Sequence, residues 1–161
     1  MGLRIKKTPV VVGNCTGFAV NRTFFPYTMA ACMLVDLGAD PYLIDKLVKG
    51  LFGMPMGPFR LSDLVGGDVG LNVGKSYVES FPERTYRSTL VPMLNDLKRL
   101  GEKTGRGFYK YEGRKQAPDP ELKELTAKSA AASGLAQVWN NRYDYGNATK
   151  LSACRQLRVP Q

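Results

Sequence analysis

The sequence predicts an all-α, multi-helix domain. Three observations support this fold class: a long uncharged apolar run at 23–35, apolar stripes at helical spacing within 43–51 and 90–100, and only one short β-branched run, at 8–12. Apolar residues that recur every three or four positions indicate an amphipathic helix, whereas a lone strand has no sheet to join. With 161 residues the chain is long enough for one domain.

The first element, residues 8–13, is ended by a glycine and predicts either a strand or an extended lead-in packed on the helices. The most apolar stretch follows, at 18–37. A helix that is hydrophobic on all sides is a buried one, so we expect a central core helix, with Pro26 either kinking it or marking a start near Arg22. The uncharged run within this stretch, at 23–35, is shorter than the roughly 20 apolar residues of a membrane span, so no span is predicted.

The next helix has clear boundary signals. Asp40 is a favourable N-cap residue, and Pro41 suits the first helical position. Leu43, Leu47 and Leu51 belong to its apolar stripe, and the glycines at 50 and 53 predict its end.

A stiff turn rich in proline and glycine follows at 53–66, and Pro58 can open a short helix through 65. Methionine adapts to irregular shapes, so Met54, Met56 and Phe59 could line an apolar ligand channel. The alternative is that this loop only plugs the core between two helices. Both interpretations stay open at this point.

The remaining elements are predicted with varying detail. Residues 67–81 are weakly helical, 88–100 form a helix ended by Gly101, and Asp119 caps a helix that runs to about Ser133. From about 134 onward the chain lacks apolar periodicity, which predicts a poorly ordered tail or one that orders only on a partner.

The net charge of +9 favours an anionic partner such as phosphate, nucleic acid or an acidic protein. Basic residues are concentrated at 98–115, interleaved with aromatic ones. This segment could bind phosphate or single-stranded nucleic acid, or it could be a solvated turn.

The chain has no histidine, which excludes the commonest general base and the commonest zinc ligand. Its three cysteines show no metal-ligand spacing, so reduced thiols in an intracellular compartment are expected. Neither a secretory signal at the start nor a peroxisomal Ser-Lys-Leu signal at the end is recognised.

Several motifs resemble the C-terminal domain of the 3-hydroxyacyl-CoA dehydrogenase family, especially its plant-type form in peroxisomal multifunctional proteins of fatty-acid β-oxidation. The motifs are Lys7-Thr-Pro-Val-Val-Val, Gly17-Phe-Ala-Val-Asn-Arg, Gly53-Met-Pro-Met-Gly-Pro-Phe with Asp63, and Thr104-Gly-Arg-Gly-Phe-Tyr-Lys-Tyr. They occur in the family's order over roughly residues 5–125.

The resemblance implies an all-helical domain at 14–133. Residues 1–13 would then be a linker or the exit strand of a missing Rossmann domain, and 134–161 a divergent tail, as in an alternative transcript product or a truncated gene model. The family's catalytic histidine, the glutamate that orients it and the glycine-rich NAD loop lie in that missing domain. We therefore expect no cofactor bound by this chain alone, and NAD in the complete enzyme.

The resemblance also implies site residues. Asn21 would lie beside the 3-oxygen of the substrate, where an amide can donate to developing negative charge; the alternative is a hydrogen bond to a neighbouring carbonyl. Arg22 is expected to anchor its helix by an ion pair. The residues expected to border the acyl channel are Met54, Met56, Gly57, Pro58 and Phe59.

The implied function is the substrate-side and dimerisation domain of an NAD-dependent 3-hydroxyacyl-CoA dehydrogenase, not competent for hydride transfer alone. The alternative is a non-catalytic interaction module that pairs with itself or with a full-length multifunctional enzyme. Nucleic-acid binding ranks last, because the expected acyl-CoA ligand is itself polyanionic and accounts for the charge. A homo-oligomer is a further expected partner, and the location is peroxisomal by resemblance, or otherwise cytoplasmic.

Overall fold

A computed structural model describes residues 8–113 and 115–135, and this part of the chain forms six α-helices and one β-hairpin. The helices are α1 (Val20–Asp36), α2 (Pro41–Leu51), α3 (Pro58–Val65), α4 (Gly67–Ser80), α5 (Leu90–Asp96) and α6 (Leu122–Ser133). Strands β1 (Tyr109–Glu112) and β2 (Lys115–Pro118) pair antiparallel, and 3₁₀ turns occupy Pro82–Arg84 and Glu102–Thr104. The all-α prediction is confirmed, with the hairpin as its one addition.

The N-terminal strand is absent from residues 8–13, and these residues are exposed rather than packed on the helices. The expectation of a lead-in packed on the helices is therefore wrong, whereas the assignment of 1–13 as a linker or exit strand of a missing domain stays a prediction. The predicted tail lies outside the described residues, apart from 134–135. None of the helices within the described ranges is long and apolar enough to cross a membrane.

Helix α1 runs through Pro26 without a break and ends where Gly38 adopts φ +101°. The amides of Gly38 and Ala39 donate to the carbonyls of Val35 and Leu34, which satisfies the last turn. The prediction of an entirely buried helix is wrong: only residues of the C-terminal half are buried, and Phe24 is 40% exposed. The reason is that α2, α3 and α6 leave the other side of α1 open.

Helix α2 begins as predicted. The Asp40 carboxylate accepts hydrogen bonds from the amides of Tyr42 (2.7 Å) and Leu43 (3.3 Å), so Asp40 is the N-cap residue. The helix ends at Leu51, just before Gly53 takes a left-handed conformation with φ +66°. Helix α3 likewise begins at Pro58, as predicted.

The helix predicted at 88–100 is shorter in the structure, because α5 ends at Asp96 rather than at Gly101. Lys98 takes a left-handed conformation with φ +57°. The amide of Lys98 donates to the Asn95 carbonyl, and that of Arg99 to the Leu94 carbonyl. This reversal turns Arg99 into the interior, where it is 5% exposed.

The core joins the helices to the hairpin. The Phe59 and Phe108 rings lie 4.7 Å apart between centroids, and the fully buried Asp36 accepts from the hydroxyls of Tyr86 (2.7 Å) and Ser129 (2.5 Å). This bonding ties the end of α1 to α6. The apolar core comprises Ala31, Val35, Ile44, Phe59, Leu90, Leu94, Phe108, Tyr109 and Leu122.

Candidate functional site

A groove of about 630 Å³ lies between α1, the end of α3, α4 and α5. We call it the α1–α4 groove. One face of α1 forms a wall, because its lining residues recur every three or four positions, and α4 and α5 provide most of the facing wall. The α1 residues are Val20, Asn21, Phe24, Phe25, Thr28, Met29 and Cys32.

Asn21 lies in the first turn of α1, exposed and on the wall of the α1–α4 groove. Its side-chain amide makes no hydrogen bond to any residue in the described ranges, so the alternative of a bond to a neighbouring carbonyl is not what the structure shows. The amide is therefore free to donate to a bound oxygen, next to the electropositive end of a helix.

Arg22 does not form the predicted ion pair with a carboxylate of the described residues. Instead its guanidinium carbon lies 5.0 Å from the centre of the Phe81 ring, and its Nη1 lies 3.5 Å from the sulfur of Cys15. A cation over an aromatic face is attracted by the ring's electron density. Arg22 thus anchors the start of α1, but by stacking rather than by charge pairing.

The Met-Pro-Met-Gly-Pro-Phe loop lies outside the α1–α4 groove. Gly57, Pro58 and Phe59 are buried, and Phe59 is only 1% exposed, whereas Met54 and Met56 are half-buried. The last three residues therefore fill the core, as one of the two interpretations expected. Binding of the substrate by these five residues stays a prediction.

The close approach of Asp45 explains why the loop has a glycine at position 57. Its carboxylate accepts from the amides of Phe59 and Arg60, each at 2.9 Å, and so caps the start of α3 from α2. A Cβ on Gly57 would lie 2.4 Å from the Asp45 Cα. Burial raises the pKa of Asp45, although these hydrogen bonds and that of the Tyr109 hydroxyl lower it.

The Asp63 carboxylate likewise fixes the first strand of the hairpin by accepting hydrogen bonds. It accepts from the amides of Phe108 and Tyr109 at 2.9 Å and from the Tyr111 hydroxyl at 2.8 Å. A Cβ on Gly107 would lie 2.1 Å from the Asp63 carboxylate. Burial raises the pKa of Asp63 despite these bonds. The resemblance included Asp63 but did not assign it this structural role. The sequence signal for such a role is a glycine that packs against the aspartate, Gly57 for Asp45 and Gly107 for Asp63.

Three cations of the basic segment at 98–115 form ion pairs with carboxylates that come later in the chain. Asp119 forms ion pairs with Arg99 (2.6 Å), Arg106 (2.6 Å) and Lys110 (3.5 Å), and Glu121 pairs with Arg106 at 2.6 Å. Burial by itself would raise the pKa of Asp119, but its hydrogen bonds and the two arginines outweigh burial and lower the pKa to about 2. The interpretation of this segment as a phosphate or nucleic-acid patch stays a prediction, because the side chains of Arg106 and Lys110 are still 33% and 45% exposed.

The residues of the described ranges do not fit a dinucleotide. Such a site uses a glycine-rich turn between a parallel strand and a helix, whereas the strands described here pair only with each other, antiparallel. Nor do those ranges contain three or more metal-binding side chains close enough to hold an ion.

Comparison with known proteins identifies the family. The family model described as "3-hydroxyacyl-CoA dehydrogenase, C-terminal domain" matches residues 17–111. The chain is 57% identical over 136 residues to the peroxisomal fatty acid beta-oxidation multifunctional protein MFP2 of Arabidopsis thaliana, covering 84% of this chain and 19% of that protein. It is 58% identical over 135 residues to the glyoxysomal multifunctional protein MFP-a of Brassica napus, covering 83% of this chain and 18% of the relative.

Solved structures of similar fold support the same family. The fold superposes on M. tuberculosis FadB2 with a TM-score of 0.64 at 36% identity, over 67% of this chain and 39% of that one. It superposes on 3-hydroxybutyryl-CoA dehydrogenase from Escherichia coli with a TM-score of 0.64 at 36% identity, over 71% of this chain and 25% of that one. The chain thus spans less than a fifth of the two plant relatives and belongs to the 3-hydroxyacyl-CoA dehydrogenase family through its C-terminal domain.

Proposed function

We propose that this chain is the substrate-side domain of an NAD-dependent 3-hydroxyacyl-CoA dehydrogenase of fatty-acid β-oxidation, and that it works only beside a nucleotide-binding domain. The observation that carries the proposal is the exposed Asn21 amide on the wall of the α1–α4 groove. The names of the plant relatives support the pathway.

Asn21 would donate a hydrogen bond to the 3-oxygen of the substrate as negative charge develops there. A donor of this kind is preorganised, because the helix that carries it is already formed. A general base and a hydride acceptor are still needed; the resemblance assigns them to a histidine and to NAD, and this chain has no histidine. We therefore propose that it transfers no hydride alone.

Reconstitution tests this proposal. The chain is mixed with a separately expressed nucleotide-binding domain from a plant multifunctional relative, and NADH oxidation is followed with acetoacetyl-CoA. We expect no turnover by either part alone and turnover by the mixture. Turnover by this chain alone, or none on mixing, would contradict the proposal.

The role of Asn21 is tested with variants of that residue in the same assay. Asn21→Ala is expected to lower kcat by about 10² to 10³, the usual effect of losing one such donor. Asn21→Asp keeps the shape but not the donor and should be equally impaired. Asn72→Ala, at an exposed amide on α4, is the control and should keep full activity. An unchanged kcat in Asn21→Ala would remove Asn21 from the mechanism.

We also propose that Met54 and Met56 border the acyl channel, with Gly57, Pro58 and Phe59 supporting them from the core. Each buried methylene contributes about 0.8 kcal/mol. Met54→Ala should therefore lower kcat/KM for a long-chain substrate several-fold more than for acetoacetyl-CoA. An equal change for both substrates would place the channel elsewhere.

The proposed dimerisation and the alternative function, an interaction module, share one observation. Helix α2 exposes Leu43, Leu47 and Leu51 on one stripe, continued by Phe52, and Leu51 and Phe52 are 76% and 78% exposed. Contiguous apolar surface of this kind marks protein contacts. We expect light scattering to give the mass of a dimer, and Leu47→Glu to give that of a monomer. A monomeric wild type would contradict this proposal.

A peroxisomal location is the last part of the proposal, and the names of the plant relatives support it. A fluorescent fusion expressed in plant cells should coincide with a peroxisomal marker. Diffuse fluorescence would favour the cytoplasm instead.

A further inference from the structure

The segment that carries Asn21 is held by the last turn of α4. The Thr16 and Ser80 hydroxyl oxygens lie 2.8 Å apart, before Asn21 in the chain. Directly after Asn21, the Arg22 guanidinium stacks on the Phe81 ring. Residues at the end of one helix therefore hold the start of another on both sides of the candidate site residue.

Tyr77, one turn earlier in α4, makes the most buried of these contacts. The side chain is 5% exposed, and its ring centroid lies 4.1 Å from that of Phe25, one turn after Asn21 in α1. The Tyr77 hydroxyl faces Gly17, which has a left-handed φ of +78°. A Cβ on Gly17 would lie 2.2 Å from the hydroxyl oxygen and 2.9 Å from the ring carbon that bears it.

The Tyr77 side chain makes these contacts by packing and not by hydrogen bonding: its ring lies against Phe25 and its ring edge and hydroxyl lie against Gly17. The hydroxyl is buried and has no hydrogen-bond partner among the described residues. Burying an unpaired hydroxyl is unfavourable, so it does not explain why a tyrosine side chain packs here. The ring, in contrast, contacts the turn before Asn21 and the helix after it.

We propose that Tyr77 is a positioning residue for Asn21, an inference that rests on the proposed function of that amide. Because the Asn21 side chain has no hydrogen bond of its own within the described ranges, its direction depends on the backbone of 16–22. The Tyr77 ring sets that backbone by lying between Gly17 and Phe25. The amide is thereby kept at the groove before any substrate arrives.

Nuclear magnetic resonance relaxation of the full chain tests this. Backbone order parameters at 16–22 should be near about 0.85 in the wild type and in Tyr77→Phe, and below about 0.6 in Tyr77→Leu. Values in α2 and α3 should stay unchanged in every variant. Unchanged order at 16–22 in Tyr77→Leu, or an equal loss across the whole chain, would overturn the inference. Asn72→Ala is the control on the same helix.

The variant Gly17→Ala tests the same contact by changing Gly17 and leaves the Tyr77 ring in place. We expect it to disorder 16–22, and Tyr77→Phe to restore part of that order, because the nearest clash is with the hydroxyl oxygen. Unchanged order at 16–22 in Gly17→Ala would overturn the contact.

Titration with acetoacetyl-CoA in the presence of the separately expressed nucleotide-binding domain separates this inference from the proposed function. A shift of the Asn21 side-chain amide resonance in the wild type, weakened in Tyr77→Leu, supports both. Loss of order in Tyr77→Leu without any ligand-induced shift in the wild type would leave Tyr77 as a positioning residue and refute the proposed function.

Discussion

Replacing Asp63 with alanine should destabilise the domain more than any surface change. Asp63 is 3% exposed and accepts from two backbone amides at 2.9 Å and from the Tyr111 hydroxyl at 2.8 Å. A buried donor that loses its acceptor costs about 1 to 3 kcal/mol. The cost is partly offset, because burial of this carboxylate is itself unfavourable, as its raised pKa indicates. We expect Asp63→Ala to lower the free energy of unfolding by about 4 kcal/mol.

Urea unfolding followed by far-UV circular dichroism measures this loss. A loss of that size is a large part of the roughly 5 to 15 kcal/mol that stabilises a typical domain, so the midpoint should fall markedly. Asp96→Ala, at an exposed residue ending α5, is the matched control and should change stability by less than about 0.5 kcal/mol. A loss below about 1 kcal/mol in Asp63→Ala would refute the anchoring role, since net hydrogen bonds to charged acceptors exceed that value.

Three further predictions concern other buried groups. The pKa of Asp119 is lowered to about 2 from its ordinary 3.8. Asp119 therefore contributes its full stabilisation above about pH 4, and about 2 kcal/mol of it should be lost as the pH falls from about 4 to below 2. This pH dependence should vanish in Asp119→Asn, and acid titrations of the two proteins that coincide in shape would contradict it. Gly57→Ala should lower the urea midpoint, because its Cβ would strike the Asp45 backbone; an unchanged midpoint would mean that the loop relaxes freely. Burial and a nearby carboxylate raise the pKa of the half-buried Cys32 thiol to about 12. Peptide mapping after maleimide treatment should therefore find the exposed Cys15 labelled and Cys32 unlabelled; equal labelling would contradict the raised pKa.

Local chemistry explains which elements were predictable. The capping aspartate at 40 and the proline after it act within a few residues of each other, so the start of α2 could be read without any tertiary information. The same holds for the start of α3 at Pro58. Asn21 was named through the resemblance, and the structure shows it exposed on the groove wall; its chemical role stays a prediction.

The errors arose where distant segments meet. An apolar stretch shows that a helix can be buried, but the neighbours of α1 leave its N-terminal half open, and Val20 is 66% exposed. The pairing of Arg99 and Arg106 could not be predicted from the basic segment alone, because their carboxylate partner, Asp119, comes later in the chain. Likewise the early end of α5 depends on Arg99 turning toward that carboxylate.

The sequence by itself determined the family, the helical class and the main helix starts, because motifs, caps and apolar spacing are properties of neighbouring residues. Only the tertiary structure decided that Asp45, Asp63 and Asp119 are internal anchors, and that the last turn of α4 holds the Asn21 segment. These contacts join residues far apart in the chain. Whether a charge or a ring faces solvent, substrate or another residue depends on packing that no local pattern records.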